Sequence, residues 1–470
     1  MSATDDHRRA PKRSAAHELE RYEALFATRT GRMRSSVMRD LMAVTDRPEI
    51  ISLAGGLPDT SLFSPAAFSR AMDMISDGET AQALQYGPTD GLLGIKECIV
   101  EIMAAEDTIV AADELIVTTG GQQAIDLVCK ILLDPGDVVV AEGPTYPGAV
   151  PTFCAYEAEL VQVEMDADGM QIDLLEQTLD QLAADGRHVK FIYTIPTFQN
   201  PAGVTMSLPR RRRLVDLAHE RELLVLEDNP YGLLRYEGDA LPTLRSIEVP
   251  RGSRDGGDFV IYAGTMSKIL SAGIRVGWLA APRPLLGKLN LGKVSSDLCS
   301  SSLTQYFVTD YFKTGDWREY VDAVRERYRA RRDVMLDALA EHLPAEAGWT
   351  HPRGGLFVWV TLPDYIDTTD LLARALRENV AFVPGEGAFD DGRGHSSMRL
   401  NFSSSNEEQI REGVRRIGKI VSEQIELYTS LTAREAPPPP AKDLPASHQG
   451  ADVLEMPRRS AGTGRQSRGA

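Results

Sequence analysis

The chain has 470 residues, enough for two or three domains, and its apolar share of 43% and charged share of 25% are those of a globular protein. A net charge of −17 argues against nucleic acid or an anionic membrane as the main partner. We find no apolar run of the ~18 residues that a membrane helix needs, and the polar residues 1–18 lack the apolar segment of a signal peptide.

The four cysteines indicate a reducing compartment. They are scattered, with no C-x-x-C pair: Cys98, Cys129, Cys154 and Cys299. We therefore expect free thiols and a cytoplasmic location. The eight histidines form no set with the spacing of metal ligands, so no metal site is expected.

Short apolar runs alternate with amphipathic stretches through the middle of the chain. The clearest runs are residues 115–117, 138–140, 191–193, 223–226 and 259–261. Several are almost continuously apolar, which is typical of strands covered on both faces. Helical spacing lies between them, as in Leu127, Val128, Ile131 and Leu132. The pattern predicts an α/β domain with a mostly parallel central sheet, which we place at residues 81–315.

A smaller α+β unit is predicted at residues 316–432. A long amphipathic stretch, at about 303–342, leads into it, and apolar runs at 354–360 and 398–402 supply its strands. Residues 26–80 are expected to form an N-terminal segment that joins this unit.

Both ends of the chain are predicted to be disordered. Residues 1–25 are polar and mixed in charge, and residues 433–470 contain four consecutive prolines followed by polar residues. Neither composition can build a packed core.

The motifs of the first half are turns with polar or glycine residues after strand-like runs. Gly56 lies in a Gly-Pro turn that ends the run at 51–54, and Tyr86 lies in the turn 85–91, where a packing role is the simple alternative. Gly121 and Gln122 follow the strand at 115–118 and begin a helix. A Gly-Gly turn at a helix N-terminus leaves backbone N–H groups free to bind an anion.

Three further motifs follow successive strands. Tyr146 lies in a turn after the run 138–140, and Asn200 begins the turn Asn-Pro-Ala-Gly after the run 191–195. The run 223–226 is followed by Asp228 and then by Tyr231. An acid at the carboxyl end of a buried parallel strand points into the crevice where such sheets bind ligands.

The segment Gly264–Trp278 carries the strongest chemical pattern. Thr265 and Ser267 place two hydroxyls beside Lys268, and Arg275 follows seven residues later. This combination suits a phosphate-bearing cofactor, and a lysine whose pKa is lowered by burial and a neighbouring cation can form a Schiff base with an aldehyde. A solvated lysine in a surface loop is the alternative.

Together these motifs resemble the class I and II aminotransferases, which are pyridoxal-phosphate (PLP) enzymes of fold type I. The resemblance covers most of residues 35–425, and its form is similar to the subgroup of 2-aminoadipate aminotransferases and kynurenine aminotransferase II. It implies PLP as the cofactor, a homodimer, and an amino acid and a 2-oxo acid as substrates.

The resemblance also implies the role of each motif. Lys268 would be the Schiff-base lysine, Asp228 the partner of the pyridine nitrogen, and Asn200 and Tyr231 the partners of the phenolic oxygen. The phosphate would be bound by Gly121, Gln122, Thr265, Ser267, Arg275 and, from the neighbouring subunit, Tyr86. Tyr146 would stack on the ring, Arg399 would bind the substrate α-carboxylate, Gly56 would border the substrate, and Arg39 would recognise acidic side chains in some members.

Two positions depart from the family pattern. Gly121 stands where the family has a serine, so that hydroxyl contact to phosphate is missing, and Ala202 replaces a threonine. Arg210–Arg213, a run of four arginines, is predicted to be a solvated helix face rather than a nucleic-acid site.

The resemblance leaves alternatives open. A lyase, racemase or decarboxylase would use the same Lys268 and Asp228. A regulator that fuses a winged helix to an aminotransferase-like domain would need more than the roughly fifty residues before Ser52, and a PLP-binding protein without activity would not need Arg399. The amino donor is not readable, since the subgroup accepts 2-aminoadipate, kynurenine, branched-chain and arylglycine donors.

Overall fold

The computed structural model describes residues 22–33, 41, 47–249, 257–315 and 317–432. Strands and helices alternate along most of this length. The strands are β1 (Ile51–Ser52), β2 (Leu115–Thr118), β3 (Val138–Gly143), β4 (Glu159–Asp166), β5 (Gly169–Met170), β6 (Val189–Thr194), β7 (Leu224–Asn229), β8 (Val260–Thr265), β9 (Gly277–Ala280), β10 (Gly348–Trp349), β11 (Phe357–Thr361), β12 (Val380–Ala381), β13 (Val383–Pro384) and β14 (Ser397–Asn401).

The α-helices are α1 (Pro65–Met74), α2 (Thr80–Ala83), α3 (Leu93–Ala104), α4 (Gly121–Leu132), α5 (Val150–Ala155), α6 (Ile172–Ala184), α7 (Leu208–Arg221), α8 (Leu244–Glu248), α9 (Arg283–Asp297), α10 (Ser302–Thr314), α11 (Trp317–His342), α12 (Thr368–Arg377) and α13 (Glu407–Thr432). A π-helix at Ile75–Glu79 joins α1 to α2. Short 3-10 helices lie at Glu23–Leu25, Thr28–Arg32, Thr60–Leu62, Ala112–Glu114, Ala272–Ile274 and Gly385–Ala388.

An eight-stranded sheet forms the centre of the molecule, in the order β2-β9-β8-β7-β6-β3-β4-β5. Strands β8, β7, β6, β3 and β4 are parallel to one another, whereas β5 is antiparallel to β4 and β9 is antiparallel to both β2 and β8. Because β9 is antiparallel to both of its neighbours, β2 and β8 run in the same direction. The carboxyl ends of β2, β3, β6, β7 and β8 therefore meet at one edge, and the predicted mostly parallel sheet is confirmed.

Helices cover both faces of this sheet because its inner strands are apolar on both sides. Alternate residues of one strand, such as Val139 and Val140, belong to different apolar clusters. One cluster packs α4, α5 and part of α9 against the sheet, and the other packs α6 and α7. The continuous apolar runs of the sequence thus correspond to strands with no polar face.

A second, antiparallel sheet has the order β10-β11-β14-β13 and packs with α11, α12 and α13. Strand β11 begins at Phe357, after an isolated β-bridge at Gly354 and a bend at Gly355. The N-terminal segment reaches this unit through β1, which pairs in parallel with β12 (Ile51 opposite Val380). The domain boundaries proposed from the sequence remain predictions.

The predicted amphipathic stretch at 303–342 is two helices rather than one. Helix α10 ends at Thr314 and α11 begins at Trp317, with residue 316 outside the described part of the chain. Of the predicted disordered ends, residues 1–21 and 433–470 lie outside the described residues, whereas Glu23–Leu25 forms a 3-10 helix. In the described residues, no helix is both long enough and apolar enough to cross a membrane.

The prediction of a solvated arginine face at 210–213 is wrong for Arg211, which is fully buried in α7. Its guanidinium donates to the carbonyl oxygens of Met206 (2.9 Å), Pro196 (2.6 Å) and Pro242 (3.0 Å). Pro196 and Met206 lie in the connection between β6 and α7, and Pro242 lies just before α8, so Arg211 ties together two segments around the N-terminus of α7. A charged residue that satisfies several buried carbonyls is a structural arginine.

Candidate active site

The carboxyl edge of the large sheet carries a cavity of about 330 Å³. All the predicted site residues that the structure describes, except Tyr86, line it. They are Gly56, Gly121, Gln122, Tyr146, Asn200, Asp228, Tyr231, Thr265, Ser267, Lys268, Arg275 and Arg399. The parallel register of the sheet brings together residues that are far apart in the sequence.

One end of the cavity is rich in hydrogen-bond donors. Helix α4 begins at Gly121, so its first N–H groups have no partner within the helix. Thr265 Oγ1 donates to Ser267 Oγ at 2.9 Å, and both hydroxyls line the cavity. The Arg275 guanidinium donates to the carbonyl of Thr119 at 3.2 Å. Hydroxyls, a guanidinium and a helix N-terminus are the groups that bind a phosphate.

Gly120 is required beneath this guanidinium. A Cβ at position 120 would lie 2.6 Å from a terminal nitrogen of Arg275, and the backbone has φ +81°. By contrast, a Cβ at position 121 would lie 3.7 Å from the Cβ of Thr265, an ordinary van der Waals distance. The absence of a serine at Gly121 is therefore not a steric requirement.

Lys268 lies just beyond the end of β8 and extends to the opposite side of the cavity. Its Nζ donates to the carbonyl oxygen of Gly56 at 2.5 Å. Burial, and then the positive charges of Arg399 and Arg275, lower the pKa of Lys268 to about 8. A much larger fraction of the amine is therefore unprotonated near neutral pH than in an exposed lysine, which suits a nucleophile and a proton carrier.

Asp228 is buried at the end of β7 and accepts a hydrogen bond from the hydroxyl of Tyr193 at 2.7 Å. Burial raises the pKa of Asp228 to about 7; the Tyr193 hydroxyl opposes this, and the charge of Glu142 adds to it. A carboxylate in this setting favours a cationic partner, which a protonated pyridine nitrogen would provide.

Arg399 joins the small sheet to this edge. It donates to Asn200 Oδ1 at 3.0 Å and to the carbonyl of Ala54 at 2.9 Å, and its guanidinium lies 4.2 Å above the ring centre of Phe357. Burial lowers the pKa of Arg399 to about 10. Asn200 Nδ2 in turn lies 3.5 Å from the hydroxyl of Tyr231. The cationic fork is thus held next to the cavity by neutral oxygens and an aromatic face.

One predicted residue is not brought into this cavity: the Tyr86 side chain is 78% exposed and does not line the cavity of its own chain. The prediction for Arg39 falls on a residue that lies outside the described part of the chain. The sequence analysis missed three residues. Tyr193 contacts Asp228, Phe357 contacts Arg399, and the third is the buried Glu142. Tyr193 and Phe357 lie inside apolar strands, where an aromatic residue is indistinguishable from core.

The residues present fit PLP. Donors for a phosphate, a lysine for the aldehyde, a buried carboxylate for the ring nitrogen, and two neutral polar groups for the phenolic oxygen all line one cavity, and Tyr146 supplies an aromatic side chain. Among the described residues, no group of three or more His, Cys, Asp or Glu side chains could hold a metal ion.

Comparison with known proteins agrees with this chemistry. The family model for aminotransferase class I and II matches residues 48–417, so the chain belongs to this family. The aromatic-amino-acid aminotransferase 1 of Thermococcus litoralis is 41% identical over 86% of the chain and 95% of the relative.

Two solved structures are also similar. The Pyrococcus horikoshii kynurenine aminotransferase in complex with PMP has a TM-score of 0.81 and is 38% identical over 87% of this chain and 99% of its own. The Thermus thermophilus α-aminoadipate aminotransferase complexed with N-(5'-phosphopyridoxyl)-L-leucine has a TM-score of 0.79 and is 37% identical over 86% and 99%. This protein is a PLP-dependent aminotransferase of fold type I, which confirms the predicted fold, cofactor and reaction class.

Replacing Gly121 with serine should tighten PLP binding. A Cβ at this position fits without a clash, and the serine hydroxyl would add a hydrogen bond to the phosphate, worth about tenfold in affinity. The dissociation constant of the apoprotein for PLP measures this. Gly121→Ala is the matched control, because it adds the Cβ alone; equal affinities for the two variants would show that position 121 does not face the phosphate.

Replacing Asp228 with asparagine should stabilise the apoprotein at neutral pH. Because the folded-state pKa is about 7 against an ordinary value of 3.8, the unfolded chain ionises first, and stability is lost as pH rises from about 4 to 7. At about 1.4 kcal/mol per tenfold change in proton affinity, the gain at pH 8 is on the order of 4 kcal/mol, and near pH 3.5 it vanishes. Urea unfolding of both apoproteins at the two pH values measures the difference in their free energies of unfolding. An Asp228→Asn variant that is less stable than the parent at pH 8 would contradict a raised pKa for Asp228.

Proposed function

We propose that Lys268 is the residue that forms the Schiff base with PLP and then carries the proton during transamination. The observation that carries the proposal is the position of an amine with a lowered pKa in the same cavity as Asp228 and Arg399. Bound PLP supplies an aldehyde and an electron-withdrawing ring that stabilises negative charge on the substrate.

The remaining groups of the chain divide the work by their chemistry. Lys268 Nζ, once displaced by the substrate amine, would take the proton from the substrate Cα as general base and pass it to C4′ of the cofactor as general acid. Asp228 holds a proton at the ring nitrogen, while Asn200 and Tyr231 hydrogen-bond the phenolic oxygen. Arg399 binds the α-carboxylate with its planar fork, which fixes the substrate for proton transfer.

The donor is proposed to have an aromatic or large apolar side chain. Among the described residues that line the cavity, the charged ones are Asp228, Lys268, Arg275 and Arg399, and each already has a role toward the cofactor or the α-carboxylate. The larger apolar side chains of the lining include those of Leu57, Ile125, Tyr146, Ile195 and Phe357. The name of the Thermococcus litoralis relative supports this donor class.

A half-reaction with single amino acids tests both proposals. Phenylalanine added to the PLP-loaded protein should convert the visible absorbance of the cofactor at least tenfold faster than glutamate does, because the described lining of the cavity leaves no cation for an acidic side chain. Lys268→Ala should lose both the conversion and the Schiff-base absorbance. A faster reaction with glutamate would contradict the donor class, and an unchanged spectrum for Lys268→Ala would contradict the role of the lysine.

We also propose a homodimer in the cytoplasm. Large apolar side chains are exposed around the N-terminus of α10 and on the turn before α3; they are Leu84 (72% exposed), Tyr86, Leu93 (63%) and Leu303. These segments touch, because Leu92 N donates to Gln305 Oε1 at 2.8 Å. An apolar surface of this kind supports association, and Tyr86 would then reach the phosphate of the partner. The four free cysteines fit a reducing compartment.

Mixing two inactive variants tests this assembly. Subunits with Lys268→Ala and subunits with Tyr86→Ala should regain about a quarter of the parent activity after random exchange, since half the dimers are mixed and each has one intact site. The matched control combines Lys268→Ala with Asp228→Asn. Both of those residues lie in the cavity of one chain, so no activity should return. Recovery in the control, or none in the test when mixed dimers are shown to form, would contradict a shared site.

A further inference from the structure

A second buried carboxylate lies below the cavity without lining it. Glu142, at the end of β3, is 1% exposed. Its Oε1 accepts from the hydroxyl of Thr194 at 2.5 Å, and its Oε2 accepts from the backbone N–H of Ile195 at 3.1 Å and from Nε2 of Gln199 at 3.2 Å. Burial raises the pKa of this carboxyl group. Burial of a carboxyl group that has only neutral hydrogen-bond donors lowers the stability of the folded state, which favours a functional role for this group.

Gln199 carries the contact onward to two loops. Its Nε2 also donates to the carbonyl of Pro144 at 2.7 Å, and its Oε1 accepts from the backbone N–H of Ala202 at 2.8 Å. Residues 144–148 form the loop that bears Tyr146, and residues 199–204 form the loop that bears Asn200. One side chain therefore fixes the backbone of both loops, and every polar atom of its amide is used.

The positive charge of Arg211 lowers the pKa of Glu142 through space and not through a direct ion pair. The hydrogen bonds of Arg211 go to backbone carbonyls and to Thr197 Oγ1. The hydrogen bonds of Glu142 thus point toward the site loops, not toward an ion pair.

We infer that Glu142 is a positioning residue that acts through Gln199 to hold the two loops in the geometry that binds PLP. This rests on the proposed roles of Tyr146 and Asn200. Glu142 itself touches neither the cavity nor, on this argument, the cofactor. Its removal should therefore change how PLP is held rather than remove a contact to it.

Four variants distinguish the loss of the hydrogen bonds of Glu142 from the loss of its charge. Glu142→Leu removes the acceptor, and Gln199→Met removes the amide while leaving Glu142 two donors. Glu142→Gln keeps all three hydrogen bonds, because its carbonyl oxygen can replace Oε2 and the Thr194 hydroxyl can reverse to accept from the new amide. Glu227→Gln is the matched control: Glu227 is fully buried on β7 of the same sheet, but it accepts from the backbone of Leu244 and Arg245 at α8, away from the cavity.

The measurements are the dissociation constant of the apoprotein for PLP, the visible circular dichroism of the bound cofactor, and the melting temperature. Glu142→Leu and Gln199→Met should each weaken PLP binding at least about tenfold and reduce the dichroism, and the double variant should be no worse than the more severe single one. Glu142→Gln should stay within about threefold of the parent, and Glu227→Gln should lower the melting temperature alone.

Several outcomes would overturn the inference. These are parent-like binding and dichroism in Gln199→Met, a Glu142→Gln variant as impaired as Glu142→Leu, or an equal loss in Glu227→Gln. If Glu142→Leu fails to fold, Gln199→Met decides the question. Asn200→Ala distinguishes the two levels of proposal: if it binds PLP like the parent, the proposed site fails, whereas impaired Asn200→Ala beside normal Gln199→Met overturns only the role of Glu142.

Discussion

Parallel pairing of strands is the constraint on which the site depends. Because β3, β6, β7 and β8 run in one direction, the segments that follow them emerge at one edge. Tyr146, Asn200, Asp228 and Lys268 come from four different turns, and nothing in their local sequence brings them together. A strand inserted in the opposite direction would remove its residue from the edge entirely, so the sheet's connectivity is as much a part of the site as the side chains are.

Three cationic side chains lie near one another at this edge, and an anionic ligand would balance their charge. Arg399 and Arg275 both lower the proton affinity of Lys268, so the three cations disfavour one another in the apoprotein. A doubly charged phosphate and a substrate carboxylate would relieve this repulsion. Ligands of that charge stabilise the folded state by linkage, and the protein gains stability as it fills its site.

The sequence was sufficient for the sheet, the cofactor and most of the cavity lining. Apolar runs and turn residues are local signals, and the motif around Lys268 is nearly continuous. The buried polar network was not predictable, since Arg211 draws acceptors from two loops and Glu142 meets Gln199 only after β3 and β6 have paired. An arginine run and an acid at a strand end have the same local appearance whether they face water or the interior, and only long-range contacts decide between these outcomes.

The pairing of β1 with β12 has a consequence for synthesis on the ribosome. Ile51 is made early, but Val380, its partner, follows about 330 residues later. At roughly 5–20 residues per second, the N-terminal strand waits roughly a quarter of a minute to one minute before its partner emerges. The carbonyl groups of Ala54 and Gly56, which receive Arg399 and Lys268, belong to this waiting segment. Nascent chains can therefore build the large sheet first, and the pocket closes only when the last quarter of the polypeptide has left the exit tunnel.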